Sequence, residues 1–135
     1  MTLTRIYRFA ASHRLHTSVF SDDKNAEIFG KCNNPYGHGH DYVLQVSVEG
    51  APDPLTGRIL PVADLDRYVQ RQAVSVYDHS DLNRDVPGFE GVPTTENLGR
   101  DVLRRLQTDW PFAEVRLTRV AIQETDRNSI AIDKG

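Results

Sequence analysis

The alternation in "HGHDYVLQVSVEG", residues 38–50, constrains the fold more than any other stretch of this chain. His38, His40, Tyr42, Leu44, Val46 and Val48 share one parity, so a strand here turns all of them to one face. That face must be covered, and the two imidazoles stand at its end. Residues 3–12 alternate in the same way, with Leu3, Arg5, Tyr7, Phe9 and Ala11 on one parity, and His13 continues it. A polar connection over residues 17–36, with one helical turn around Ala26 to Phe29, predicts that the two strands pair antiparallel.

Beyond "APDPLTGRI", a turn punctuated by Pro52, Pro54 and Gly57, the period changes. Val62, Leu65, Val69, Ala73 and Val76 recur at threes and fours, which predicts an amphipathic helix after Pro61 with Asp64 as its N-cap. "TTENLGRDVLRRLQTDW" predicts a second helix, capped by Thr94 or Thr95, striped by Leu98, Val102, Leu106 and Trp110, and ended by Pro111. "AEVRLTRVAIQET" reads as a strand, "DRN" as a tight turn and "SIAID" as a short last strand.

The order β-β-α-α-β-β predicts an α+β sandwich, both helices covering one face of an antiparallel sheet. The other face and the edges then require burial, and self-association is the economical solution.

With 135 residues the chain reads as one domain over 1–135, with an ordinary globular balance of 39% apolar and 26% charged residues. A formal charge of −3 argues against bulk attraction to nucleic acid or to anionic membrane, while leaving room for a local cationic pocket and a small anionic substrate. "MTLTRIYRFAASHRLH" carries Arg5, Arg8 and Arg14 and no long apolar run, so it reads as neither signal peptide nor membrane span. A single cysteine, Cys32, excludes an internal disulfide and fits a reducing, cytoplasmic setting.

The five histidines fall in three patches: His13 and His16, His38 and His40, and His79. His38 and His40 point to one side of their strand, about 6–7 Å apart at the backbone, within reach of a shared ion. His13, with His16 as runner-up, supplies a third imidazole, and three ligands with one open position are the arrangement of a catalytic zinc. Gly37 and Gly39 allow close packing there, although an H-x-H pair alone also fits exposed or core-satisfied histidines.

Three roles stay open for Cys32: base or nucleophile poised by a cation, fourth metal ligand, or packed thiol. Asp78 directly before His79 fits an acid–base device or a polar helix end. Glu124, at a strand end, suits bidentate recognition of a guanidine-like ring edge or an ordinary hairpin flank. Thr94, Thr95 and Glu96 read first as a helix start and second as ligand contacts.

Taken together, "FAASHRLH", "FGKCNNPYGHGHDY", "DPLTGRI", "ADL", "DHSDLN", "PTTEN" and "ETDRNSI" resemble the successive signatures of the 6-pyruvoyl-tetrahydropterin synthases, in family order across nearly the whole chain. The resemblance implies the tunnelling fold, in which three subunits close a twelve-stranded barrel and two trimers stack as a homohexamer. It implies Zn2+ held by His13, His38 and His40, with His16 in the motif but outside the matched ligands. It implies Cys32 as general base, Asp78 and His79 completing a proton relay across a subunit interface, and Glu124 gripping the pterin edge. Thr94 and Thr95 fall in the substrate-contact segment, with Glu96 beside them.

The implied reaction converts 7,8-dihydroneopterin triphosphate to 6-pyruvoyl-tetrahydropterin, with Arg14, Lys31 and Arg127 as candidate phosphate contacts. No nicotinamide or flavin is required, in keeping with the absence of Gly-rich dinucleotide or P-loop signatures. The related 6-carboxytetrahydropterin synthases share fold and zinc site but usually show C-x3-H-G-H, two residues shorter than the C-x5-H-x-H here. Tyr36 and Asp41 stand where the animal-type motif commonly has Asn. A non-enzymatic pterin or metal binder on the same fold predicts a vacant base, ligand or carboxylate position, and every matched position is occupied.

Overall fold

The computed structural model describes residues 1–134. Its strands, β1 (Thr2–His13), β2 (His38–Glu49), β3 (Ser80–Asp81), β4 (Arg116–Thr125) and β5 (Asn128–Asp133), form one sheet in the order β3-β1-β2-β4-β5. β1 and β2 pair antiparallel along their whole length, from Thr2 opposite Glu49 to His13 opposite His38. β4 flanks β2 and β5 flanks β4, both antiparallel. The β1–β2 register has the larger consequence: it seats three imidazoles at one end of the sheet, on the face shared with Phe9, Ala11, Tyr42 and Leu44.

That face is covered by two helical elements. One starts as α2 (Val62–Val69), passes through a π-helical stretch over Gln70–Val74, and ends as α3 (Ser75–Tyr77). The other is α4 (Thr95–Gln107). Leu65, Val69, Ala73, Leu98, Val102 and Leu106 from the helices are fully buried, as are Leu44, Val46, Val48, Val120 and Ile122 from the sheet. Each such Val or Leu stabilises the fold by roughly 1.5–3 kcal/mol relative to exposure. Gly99 permits the close approach of α4 to β5, since a Cβ there would lie 2.6 Å from Ile130 Cδ1. On the opposite face Ile6 stays 52% exposed.

The α+β architecture, the antiparallel core of the sheet and the helices on one face follow the sequence expectation, with four local differences. A fifth strand, β3 (Ser80–Asp81), runs parallel to β1; two residues are too few to show a period. The single turn expected near Ala26 is a full helix, α1 (Asp22–Phe29), because the Ser21 side chain caps it by accepting from Lys24 N–H.

Asp64 is not the N-cap of α2. Pro61 takes that place in extended backbone, its carbonyl accepting from Asp64 and Leu65 N–H, and Asp64 instead pairs with Arg67 in the first turn. Trp110 lies outside α4, and Pro111 is not what ends the helix: α4 stops at Gln107, because Thr108 already turns to extended backbone (φ −68, ψ 119). The indole then packs against Tyr68 and Phe112 and donates to Val115 O at 2.9 Å. Among the described residues no helix is long and apolar enough to cross a membrane.

Candidate metal centre and active site

The end of the β1–β2 pair gathers the ligand-type side chains. His40 Nε2 lies 3.1 Å from His13 Nε2 and 3.0 Å from His38 Nε2, and Cys32 Sγ lies 3.3 Å from His38 Nε2. The four ligand atoms sit within 4.8 Å of one another. Imidazoles around one tetrahedral zinc place their nitrogens about 3.3 Å apart. Gly37 makes this convergence possible: its φ is +69 and an added Cβ would lie 2.9 Å from the His13 carbonyl oxygen.

His13 is 1% exposed, and its Nδ1 is 2.9 Å from Pro93 O. A carbonyl oxygen only accepts, so Nδ1 carries the hydrogen and Nε2 keeps its lone pair, aimed into the cluster. Burial lowers the pKa of His13 and of His40, in each case against an opposing pull from the Glu124 carboxylate. His13 Nε2 thus brings a lone pair to a cluster whose other members, His38 Nε2, His40 Nε2 and Cys32 Sγ, are all atoms of metal-ligating type. The donor set of three imidazoles with a thiol beside them matches zinc.

Glu124 closes the other side. Its Oε1 is 3.4 Å from His40 Nε2, and its Oε2 accepts from Thr95 Oγ1. Thr95 is 2% exposed and opens α4, whose N-cap is Thr94, the hydroxyl accepting from Asn97 N–H at 3.2 Å. Glu96 points to solvent in the first turn. The cap therefore delivers Thr95, not Glu96, to the site.

Asp78 and His79 take a different position. Asp78 Oδ1 accepts from Ala10 N–H at 2.9 Å, and His79 N–H donates to Ala10 O at 2.6 Å, tying the end of α3 to β1. His79 holds left-handed backbone (φ 59), its ring is exposed, and Nε2 is 3.6 Å from Asp78 Oδ2. Among the described residues no hydrogen bond or ion pair joins either one to Cys32 or to the three imidazoles. His79 and His40 do line one shallow cleft of about 520 Å3, together with Ser12 and Asp41.

A family model described as 6-pyruvoyl tetrahydropterin synthase matches residues 2–134. The chain belongs to the 6-pyruvoyl tetrahydropterin synthase family. The protein named 6-pyruvoyl tetrahydrobiopterin synthase from Homo sapiens is 42% identical over 134 residues, covering 98% of this chain and 90% of that protein. The protein of the same name from Poecilia reticulata is 41% identical over 133 residues, covering 95% of this chain and 86% of its own length. The solved 6-pyruvoyl tetrahydropterin synthase of Caenorhabditis elegans superposes with a TM-score of 0.90 at 35% identity, over 100% of this chain and 96% of that one.

Against the family pattern, Tyr36 is 96% exposed and Asp41 lies on the rim of the His79 cleft, so neither departure touches the imidazole cluster. Lys31 and Arg127 are exposed, whereas Arg14 Nε donates to Asn33 O at 3.2 Å. His16 stands outside the ligand group, its Nδ1 3.0 Å from Asn33 Nδ2. Sequence reading missed the Pro93 carbonyl, since a backbone acceptor leaves no residue signature. It also missed Asn25, fully buried, whose amide donates to the carbonyls of Thr17, Phe20 and Ser21 while its oxygen accepts from Thr17 N–H.

Proposed function

We propose that this chain is a zinc-dependent lyase that converts 7,8-dihydroneopterin triphosphate to 6-pyruvoyl-tetrahydropterin and triphosphate. The observation that carries the reading is the convergence of three Nε2 atoms and one thiol beside a carboxylate held by Thr95. His13, His38 and His40 hold the zinc, which when bound supplies Lewis acidity toward the substrate's side-chain hydroxyls.

Glu124 accepts two parallel N–H bonds from the amino-pyrimidinone edge, with Thr95 fixing the carboxylate. Thr94 and Glu96 complete the start of α4 around that grip. Cys32 takes a proton from the substrate side chain. Burial and, second, Glu124 push its thiol up, so a thiolate there would depend on the positive charge of the ion that the three neighbouring imidazoles would hold. One carbinol is oxidised as the ring is reduced. The second becomes a ketone when triphosphate leaves and the enol shifts to its keto form. Electrons balance within the substrate, and no external oxidant is needed.

Asp78 and His79 act as proton relay to the Cys32 of a neighbouring subunit. The distance between these groups within one chain supports that reading, as does the uncovered sheet face around Ile6. Three sheets closing a barrel, and two such trimers stacked as a hexamer, bury that face. We read residues 1–135 as one domain, and the free thiol as suited to the cytoplasm.

The test is mass-spectrometric product analysis after anaerobic incubation of zinc-loaded protein with 7,8-dihydroneopterin triphosphate. A 6-pyruvoyl product with free triphosphate is expected. A 6-carboxy product with acetaldehyde, or unchanged substrate, overturns the proposal.

A further inference from the structure

We propose that Asn33 is the positioning residue that holds the Cys32 thiol against the imidazole cluster, a role that rests on reading Cys32 as the proton-accepting group. Cys32 sits in a four-residue 3-10 turn, Gly30–Asn33, whose N-cap Phe29 makes no side-chain bond. So short a turn has poor internal hydrogen bonding and cannot hold a side chain in place unaided.

The fastening comes from residues 14–16, the direct continuation of β1 beyond His13. Leu15 N–H donates to Cys32 O at 2.7 Å. Asn33 Nδ2 donates to Leu15 O at 2.8 Å and reaches His16 Nδ1 at 3.0 Å, while Arg14 Nε donates to Asn33 O at 3.2 Å. Residue 14 is itself pinned by Asn83, which accepts from Arg14 N–H at 2.7 Å and donates to Arg14 O at 2.8 Å.

The thiol is therefore referenced to the strand that carries His13. Asn33 contributes two amide hydrogens to two acceptors, a demand that an aspartate of equal shape fails because it offers none. Since a displacement near 1 Å costs about 100-fold in rate, this clamp acts on turnover before it acts on binding or on metal.

The experiment compares zinc-loaded wild type with Asn33→Asp and, as a milder variant that also guards against misfolding of the first, His16→Phe. In Asn33→Asp, kcat falls about 10- to 100-fold with KM within about twofold. Zinc stoichiometry is unchanged, and the iodoacetamide alkylation rate of Cys32, the only thiol in the chain, shifts at least about threefold. His16→Phe, which removes one of the two acceptors, moves both readouts the same way by less.

Wild-type kcat and alkylation rate in either folded variant overturns the proposal. Loss of zinc together with kcat also overturns it, by making Asn33 a support of the metal ligands. Alkylation needs no substrate, so it tests the clamp even if the wild type proves inactive on the pterin triphosphate.

Discussion

Glu124 Oε1 lies 3.4 Å from His40 Nε2 while its second oxygen accepts from the Thr95 hydroxyl, so one carboxylate spans a candidate metal ligand and the first turn of a helix. These two neighbours, Thr95 buried and His40 half-buried, fix it in one orientation, which is what bidentate recognition of a planar ring edge requires. Glu124→Gln keeps the shape and removes the charge. Charge-assisted hydrogen bonds contribute about 1.5–3 kcal/mol, so substrate affinity should fall roughly 10- to 100-fold. Calorimetry with a non-reacting pterin checks this, zinc content being unaffected. Unchanged affinity would remove Glu124 from the substrate site.

Cys32 and His38 touch at 3.3 Å but should answer differently to alanine. Cys32→Ala should retain stoichiometric zinc and lose turnover by about 100-fold or more, the range of a removed general base. His38→Ala should lose the metal, because two imidazoles leave the ion under-coordinated. Metal analysis of both purified variants decides the roles. Zinc lost from Cys32→Ala makes the thiol a ligand, and full zinc in His38→Ala sinks the three-histidine site.

Gly37 combines a positive φ of 69 with contact against the His13 carbonyl. A Cβ there meets strain and collision together, so Gly37→Ala should destabilise the fold by about 1–3 kcal/mol and weaken metal binding, since His38 follows directly. Gly57, also at positive φ (+74) but with nothing within 4 Å, is the control and should show only the backbone component. Urea denaturation of the two variants measures the difference.

Asp101 is 6% exposed and accepts from Tyr77 OH, Arg104 and Arg105. Burial alone would raise its pKa, but those three donors together hold it below the usual carboxylate value. With the folded pKa below the unfolded one, near 3.9, the ionised form contributes stability that is complete above about pH 4 and lost as pH falls through the folded value. Asp101→Asn should cost about 2–3 kcal/mol at pH 7, at the low side for a broken buried pair because Arg104 is half exposed. The gap to wild type should close below about pH 4 in denaturation curves taken across pH.

Residue spacing alone determined the two long strands, the helices on one face and the shared side of His13, His38 and His40. A period of two or of three to four is imposed by backbone geometry together with the need to bury one face, and both are written locally. Where the local signal was thin, the tertiary structure decided. The end of α4 at Gln107, with Thr108 in extended backbone, left Trp110 to pack on Tyr68 and Phe112, and the two residues of β3 gained their identity only from lying against Ala11 and Ser12.

The composition of the cluster depended on register. His13 opposite His38 is a property of β1–β2 pairing, and shifting that register by one residue would turn one strand's histidines to the other face. Distance also belongs to the tertiary structure. Thr95 and Glu124 lie 29 positions apart, His13 and Pro93 lie 80 apart, and both contacts exist because α4 packs over β4 at the end where β1 and β2 deliver their imidazoles. The separation of Asp78 and His79 from Cys32 has the same origin: α3 ends on the β1 edge, and no periodicity in a sequence reports which edge a helix will reach.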